Sequence, residues 1–313
     1  MDDLTNPLTS AALVLLTLIT IAAWLLSLRR FKEQPNDTPS LPPSKLQNTL
    51  VSLTAISTAI IFLYRWLFSS DNLQPLTAHV DGLLLIATLF ALSIRYFLAK
   101  KALRGLAAFA LPLLAIILAW GICAASWSYK EFNLDQLQTI WLTIHLIGVY
   151  LGTFFAAIAA ITGAMYLFIQ SRLKHKTPST LKTLGKFASL ETLERVIITT
   201  ATLGFAIFTI GLVTGLTILT TSLEDIQADG AMFWLYPKII LAVIAWAVYA
   251  IIMNVRYATS FRGARAAWLS IFGLVLLLAV FGIVMAMPEH KPTPPTRQMT
   301  PIDNPSNQQL GGE

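Results

Sequence analysis

Long apolar runs alternate with short polar ones along most of the chain. Windows of about 20 apolar residues, each enough to cross a hydrocarbon core of about 30 Å, fall at residues 10–28, 46–68, 80–99, 104–125, 138–170, 196–221, 231–255 and 265–287. In lipid every backbone N–H and C=O must be satisfied within its own segment, so runs of this length predict helices. The expected fold is all-α, a polytopic membrane helical bundle with about eight transmembrane helices. Two segments break the pattern. Residues 33–44 (EQPNDTPSLPPS) read as a polar, Pro-rich linker, and residues 288–313 as a Pro-rich polar tail with too little apolar content to pack. The expected organisation is therefore a first span and linker over 1–45, a transmembrane domain over 46–287 and a disordered tail over 288–313. No repeat of fixed period is visible. The first run is not expected to be a cleaved signal, because Asp2 and Asp3 precede it and Arg29, Arg30 and Lys32 follow it, the reverse of a signal sequence.

Composition sharpens this into a membrane assignment. Hydrophobic residues make up 56% of the chain and charged ones only 12%, where soluble domains carry about 25%. Mean hydropathy is +0.67. The net charge of +6 resembles a nucleic-acid signal, but its distribution along the chain gives it another use. Most basic residues follow runs one, three, five and seven, as in Arg29-Arg30, Lys100-Lys101-Arg104, the segment 171–195, and Arg256, Arg262 and Arg265. By the positive-inside rule these connections face the cytoplasm and both termini lie outside. The chain reads as a multi-pass protein of a cytoplasmic (inner) membrane, with lipid as its surrounding partner and no nucleic acid. A single cysteine, Cys123, excludes an intramolecular disulfide, a thiolate zinc cluster and a CxxC redox pair.

The polar chemistry left inside such a bundle is sparse. Of four histidines, His79, His145 and His290 fall on the expected outer side and His175 in a basic loop. Imidazole is the commonest protein ligand for haem iron and many transition metals, so an outward metal or haem site is open to this chain. The competing reading for each is an amphipathic residue at the membrane interface. His145 is best placed, about two turns into the long fifth run. Between runs six and seven, Phe233, Trp234 and Tyr236 set three aromatic rings within four residues. They read either as a platform for a flat macrocycle or as the ordinary interfacial belt. No Walker A loop, GxSxG elbow or HExxH pair is present. Arg65, Asp81, Arg95 and Lys238 lie near run ends, where they are expected to snorkel to water. That pattern argues against a pump or ion-coupled transporter, and the lack of an evident acid, base or nucleophile argues against an enzyme acting alone.

Order and spacing then resemble a known family. Trp234-Leu235-Tyr236-Pro237-Lys238, followed by Trp246, Tyr249, Arg256, Arg262-Gly263-Ala264-Arg265-Ala266-Ala267 and Gly273, resembles the cytochrome c assembly protein family. That family includes the haem-handling subunit of the System II cytochrome c synthase and its HemX-like relatives. Its pattern runs through a tryptophan-rich external W-x-W-D-P-K, a span with W-x-x-Y, and a short R-G-x-R-A-A loop. Trp141-Leu142-Thr143-Ile144-His145 resembles the family's W-L-x-x-H, and Phe281-Gly282 with His290 resembles the close of its last span. Pro75-Leu76 with Asp81-Gly82-Leu83 is similar to the entry of an earlier span, so the resemblance covers roughly residues 75–290.

The resemblance implies a haem-binding protein of cytochrome c biogenesis. His145 and His290 (or His79 in place of His290) would be metal ligands, and Phe233, Trp234 and Tyr236 would cover the macrocycle. Its implied partners are haem, apocytochrome c and other maturation subunits. Departures point to the HemX-like branch. Tyr236 stands where the family motif has aspartate, and Asn254 stands where System II members keep an intramembrane histidine. The alternative is a non-catalytic scaffold or regulator on the same fold that has lost haem binding.

Overall fold

The structure, a computed structural model, describes residues 2–33, 44–68, 79–100, 104–125, 136–174, 188–221, 232–254 and 263–286. These form eight helices and no strand. In chain order they are α1 (Asp2–Glu33), α2 (Lys45–Phe68), α3 (His79–Ala99), α4 (Arg104–Ala125), α5 (Gln136–Lys174), α6 (Leu190–Thr221), α7 (Met232–Asn254) and α8 (Ala264–Ala286). Seven are long and apolar enough to span a membrane, and α7 contributes the shorter described apolar stretch Ile239–Asn254. The protein is a polytopic helical membrane protein, with one helix on each expected run. The Pro-rich linker (34–43) and the tail from 287 onward lie outside the described residues.

Some helices outrun their apolar windows. The window marks the hydrocarbon, whereas the backbone stays helical into the polar interface. α6 starts at Leu190 rather than near 196, because the Ser189 hydroxyl caps it by accepting from the Thr192 N–H at 3.2 Å. Glu191, Glu194 and Arg195, read from sequence as loop, therefore lie on its first turns. Within the spans, buried threonines are made compatible with lipid locally. Thr20, Thr58, Thr162 and Thr214 each donate their hydroxyl to the carbonyl four residues back.

The helices form two halves of four. α1 packs on α2 and α4 and α3 joins the same pair, while α5 packs on α6 and α8, with α7 against both. The halves meet where α5 lies against α3 and α4. Aromatic contacts build that joint. Phe90 meets Phe154 edge-on at 5.4 Å, Phe109 meets Phe168 at 5.7 Å, and the Tyr150 ring lies on the Gly82 backbone where any Cβ would overlap it.

One expectation about charge is overturned here. Arg65 and Asp81 do not snorkel. Their side chains are 7% and 10% exposed, and Arg65 Nε donates to Asp81 Oδ1 at 2.5 Å. The antiparallel hairpin sets the last turn of α2 beside the first turn of α3, so each charge finds its countercharge sooner than water. Arg95, by contrast, is exposed on α3 as expected.

The tightest helix pair is α5 with α6. Gly148 and Gly152 on α5 face Gly211, Phe208 and Gly204 on α6, and a Cβ at Gly148 would lie 2.8 Å from the Gly211 Cα. Lipid tails are as apolar as leucine, so helix association in a membrane depends on close backbone approach and interhelical hydrogen bonds, which small residues permit. On the other flank Ser270 of α8, fully buried, donates to the Ala159 carbonyl of α5 at 3.2 Å.

Candidate functional site

His145 continues the glycine face of α5 by one turn. Residues 145, 148 and 152 follow the i, i+3, i+7 spacing that aligns side chains on one helix face, and α6 runs antiparallel across that face. The half-buried imidazole therefore meets α6 at Gly211 and Gly215. Its Nδ1 lies 2.6 Å from the Gly211 carbonyl oxygen. A carbonyl can only accept, so Nδ1 carries the proton in this contact. The ring fits there because residue 215 has no side chain; a Cβ at that position would stand 2.6 Å from Cε1 and 2.7 Å from Nδ1.

Topology gathers the other candidates at the same end of the bundle. The start of α5, the end of α6, the start of α7 and the end of α8 lie together, as do Arg65 and Asp81. Tyr150 ties this end across the joint between the halves, stacked on Phe281 of α8 at 5.7 Å. Phe233, Trp234 and Tyr236 lie on the first turns of α7 and His79 opens α3. Their side chains, and all of His290 and His175, lie outside the described residues. His145 is thus the one predicted ligand whose surroundings are defined. Among the described residues no three His, Cys, Asp or Glu side chains gather to hold a metal ion.

Several landmarks named from the sequence prove to be packing contacts. Trp246 of α7 donates from Nε1 to Thr209 of α6 at 2.9 Å and lies against Phe205. Gly263 has φ 69°, the left-handed region that favours glycine, and a Cβ there would approach the Tyr166 hydroxyl to 2.8 Å. The glycine of the basic R-G-A-R segment is thereby explained by backbone conformation. Tyr249 lies against Gly273 of α8, 2% exposed, and its hydroxyl has no hydrogen-bond partner among the described residues. At the opposite end from His145, exposed Asn254 turns back on its own helix and donates to the Ala250 carbonyl at 2.8 Å.

Reasoning from histidines and aromatics passes over Gly211 and Gly215, although they form the wall against which His145 rests. Their sequence signal is the G-x-x-x-G spacing, present in α6 and again in α5 at Gly148 and Gly152. The Arg65–Asp81 pair is the other omission. Opposite charges at the facing ends of consecutive spans are its signal.

The cytochrome c assembly protein family matches residues 76–288, and the chain belongs to that family. The match begins just before α3 and leaves α1 and α2 outside it. Over 253 residues the chain is 22% identical to a cytochrome c biogenesis protein CcsA of Heterosigma akashiwo, spanning 71% of this chain and 77% of that one. Over 264 residues it is 23% identical to the CcsA of Prochlorococcus marinus, spanning 76% and 80%. The inner membrane protein YpjD of Escherichia coli K12 is 27% identical over 205 residues, 64% of this chain and 73% of its own length. No solved structure matches.

Proposed function

We propose that the chain is a haem-binding protein of cytochrome c biogenesis in the cytoplasmic membrane, holding haem at the outer face. Membership of the cytochrome c assembly protein family and the CcsA relatives support a role in cytochrome c biogenesis. The observation that carries the haem reading is the His145 hydrogen bond to the Gly211 carbonyl. Iron-ligating histidines commonly donate their second ring nitrogen to a carbonyl or carboxylate, which fixes the tautomer and raises the basicity of the ligating nitrogen. His145 and His290 would hold the iron, with Phe233, Trp234 and Tyr236 against the macrocycle. Burial of that large apolar ring favours binding, and the imidazoles fix its orientation. Addition of apocytochrome thiols to the vinyl groups is chemistry that haem itself supplies; the chain binds and positions.

An absorption spectrum tests this. Detergent-purified protein, as isolated or after adding hemin, is expected to show a Soret band that His145→Ala removes or weakens at least about tenfold in affinity. A spectrum indifferent to the substitution would overturn His145 as a ligand, and the absence of any band would end the haem reading. The outward orientation rests on the distribution of Lys and Arg. Alkaline phosphatase fused after Glu313 is expected to be active, because it folds only outside the cytoplasm; an inactive, intact fusion would reverse the assignment.

One observation favours a second reading. Asn254, which donates to its own helix at the inner end of α7, stands where System II members keep the intramembrane histidine that would receive haem from the cytoplasmic side. A colourless protein co-purifying with a maturation subunit would establish a scaffold instead.

A further inference from the structure

We infer that the Arg65 guanidinium is an anion-binding site at the His145 end of the bundle, taking two oxygens of a phosphate or carboxylate on its terminal nitrogens. The inference stands apart from the haem reading and concerns the other half of the fold.

Arginine carries five N–H donors in a rigid planar fork. Arg65 spends one of them. Its Nε donates to Asp81 Oδ1 at 2.5 Å, while Nη1 and Nη2, with four donors between them, meet no acceptor among the described residues. Yet the side chain is 7% exposed and sits within the membrane-spanning length of α2, where a charge without full compensation is expensive. The Nη edge is also not sealed. Among the described residues the fully buried, orphaned side-chain atom is the Tyr249 hydroxyl on α7, so the Arg65 terminal nitrogens, unpaired as they are, keep a path to the surface.

The ion pair does not account for this arrangement by itself. A buried pair contributes little net stability, because desolvation offsets attraction, and an apolar pair of similar volume would hold the α2–α3 hairpin as well. What the pair supplies is orientation. Asp81 fixes the plane of the guanidinium from the Nε side, and its own place is set by the next residue, Gly82, whose backbone lies under the Tyr150 ring of α5. A guanidinium held at Nε presents Nη1–H and Nη2–H as a parallel pair, the edge that matches two oxygens of a phosphate or carboxylate. Because Asp81 already balances the positive charge, binding rests on these directed hydrogen bonds more than on net charge. That favours a two-oxygen anion over chloride, which has no second atom to offer.

Full-length protein labelled with 15N-arginine, in a phosphate-free glycoside detergent at constant ionic strength, tests this. Arg65 is assigned by the signal lost in Arg65→Lys, or in Arg65→Met with Asp81→Leu if the single variant does not fold. Inorganic phosphate is expected to shift the Arg65 side-chain signals to saturation, while those of exposed Arg95 drift without saturating. An anion that binds the folded state also stabilises it. Arg65→Lys keeps the charge and loses the fork, so the same stabilisation in an SDS titration should need at least about tenfold more phosphate. A residue that served only as a structural pin would leave stability independent of phosphate. Phospholipid nanodiscs separate the two sources of the anion. A site filled by a lipid headgroup would show the shifted Arg65 signal before any phosphate is added, whereas a site open to solution would respond as it does in detergent. Either outcome supports the site. If Arg65 follows Arg95 in detergent, with phosphate and with acetate alike, the inference is overturned. It is also overturned if phosphate stabilises the Arg65→Met, Asp81→Leu protein as much as the unsubstituted one.

Discussion

Arg65→Met is expected to lower stability by about 3–5 kcal/mol, the cost of removing one charge of a buried pair, and to move the midpoint of an SDS unfolding titration accordingly. Asp81, its side chain 10% exposed, would lose the guanidinium that faces it across the α2–α3 hairpin. The pair itself is worth far less than its disruption, because desolvating both charges offsets most of their attraction. Arg65→Met combined with Asp81→Leu should therefore recover most of the loss. Arg95→Met on the exposed face of α3 provides the scale, with an expected change within about 0.5 kcal/mol. If Arg65→Met costs no more than Arg95→Met, the pairing is not the one described.

Gly148→Val is expected to be comparably severe, about 3 kcal/mol by the same titration, at the upper part of the range for overpacking. The obstruction is backbone against backbone. A Cβ at 148 would lie 2.8 Å from the Gly211 Cα and 2.9 Å from its nitrogen, so no rotamer change relieves it and the two helices must separate. Separation would loosen the contact of Gly152 with Phe208 and lengthen the His145 hydrogen bond, so hemin binding should weaken in step. Gly121→Ala, whose Cβ would meet only the flexible end of Leu13 at 3.4 Å, should be nearly neutral. A Gly148→Val protein as stable as that control would rule out the close seam.

The spans were legible because lipid imposes one simple rule on about 20 consecutive residues, and that rule leaves a mark in any window long enough. Helix ends were less legible. Ser189 caps α6 through a hydroxyl to backbone contact that carries no apolar signature. The Arg65–Asp81 pair was hidden for another reason. Position in the run says how far a charge lies from water, but the choice between water and a partner is made by the neighbouring helix, and hydropathy contains no neighbour. At the site, His145 was identified by residue type and by resemblance. What holds it was not, because a backbone carbonyl and an absent side chain look the same in a sequence as any other helical glycine.

The length of α5 constrains how deep His145 can lie. At 1.5 Å per residue its 39 residues extend about 58 Å, nearly twice a hydrocarbon core of about 30 Å. Concealing all of it would need an inclination near 60°, beyond the 0–40° found for spanning helices. Both ends therefore stand in headgroups or water. Arg172, exposed and lying over the Phe168 ring, is taken as the aqueous boundary at one end. From there an upright helix leaves the hydrocarbon after about 20 residues and one inclined by 40° after about 26. The far boundary then falls between about residues 152 and 146, before His145 is reached. Helical side chains also lean towards the N-terminus, which here points further from the bilayer centre. If His145 holds haem as proposed, that bulky, doubly carboxylated macrocycle would reach the imidazole sideways from the aqueous layer, with its acidic edge still hydrated, and would not have to dissolve in the acyl chains.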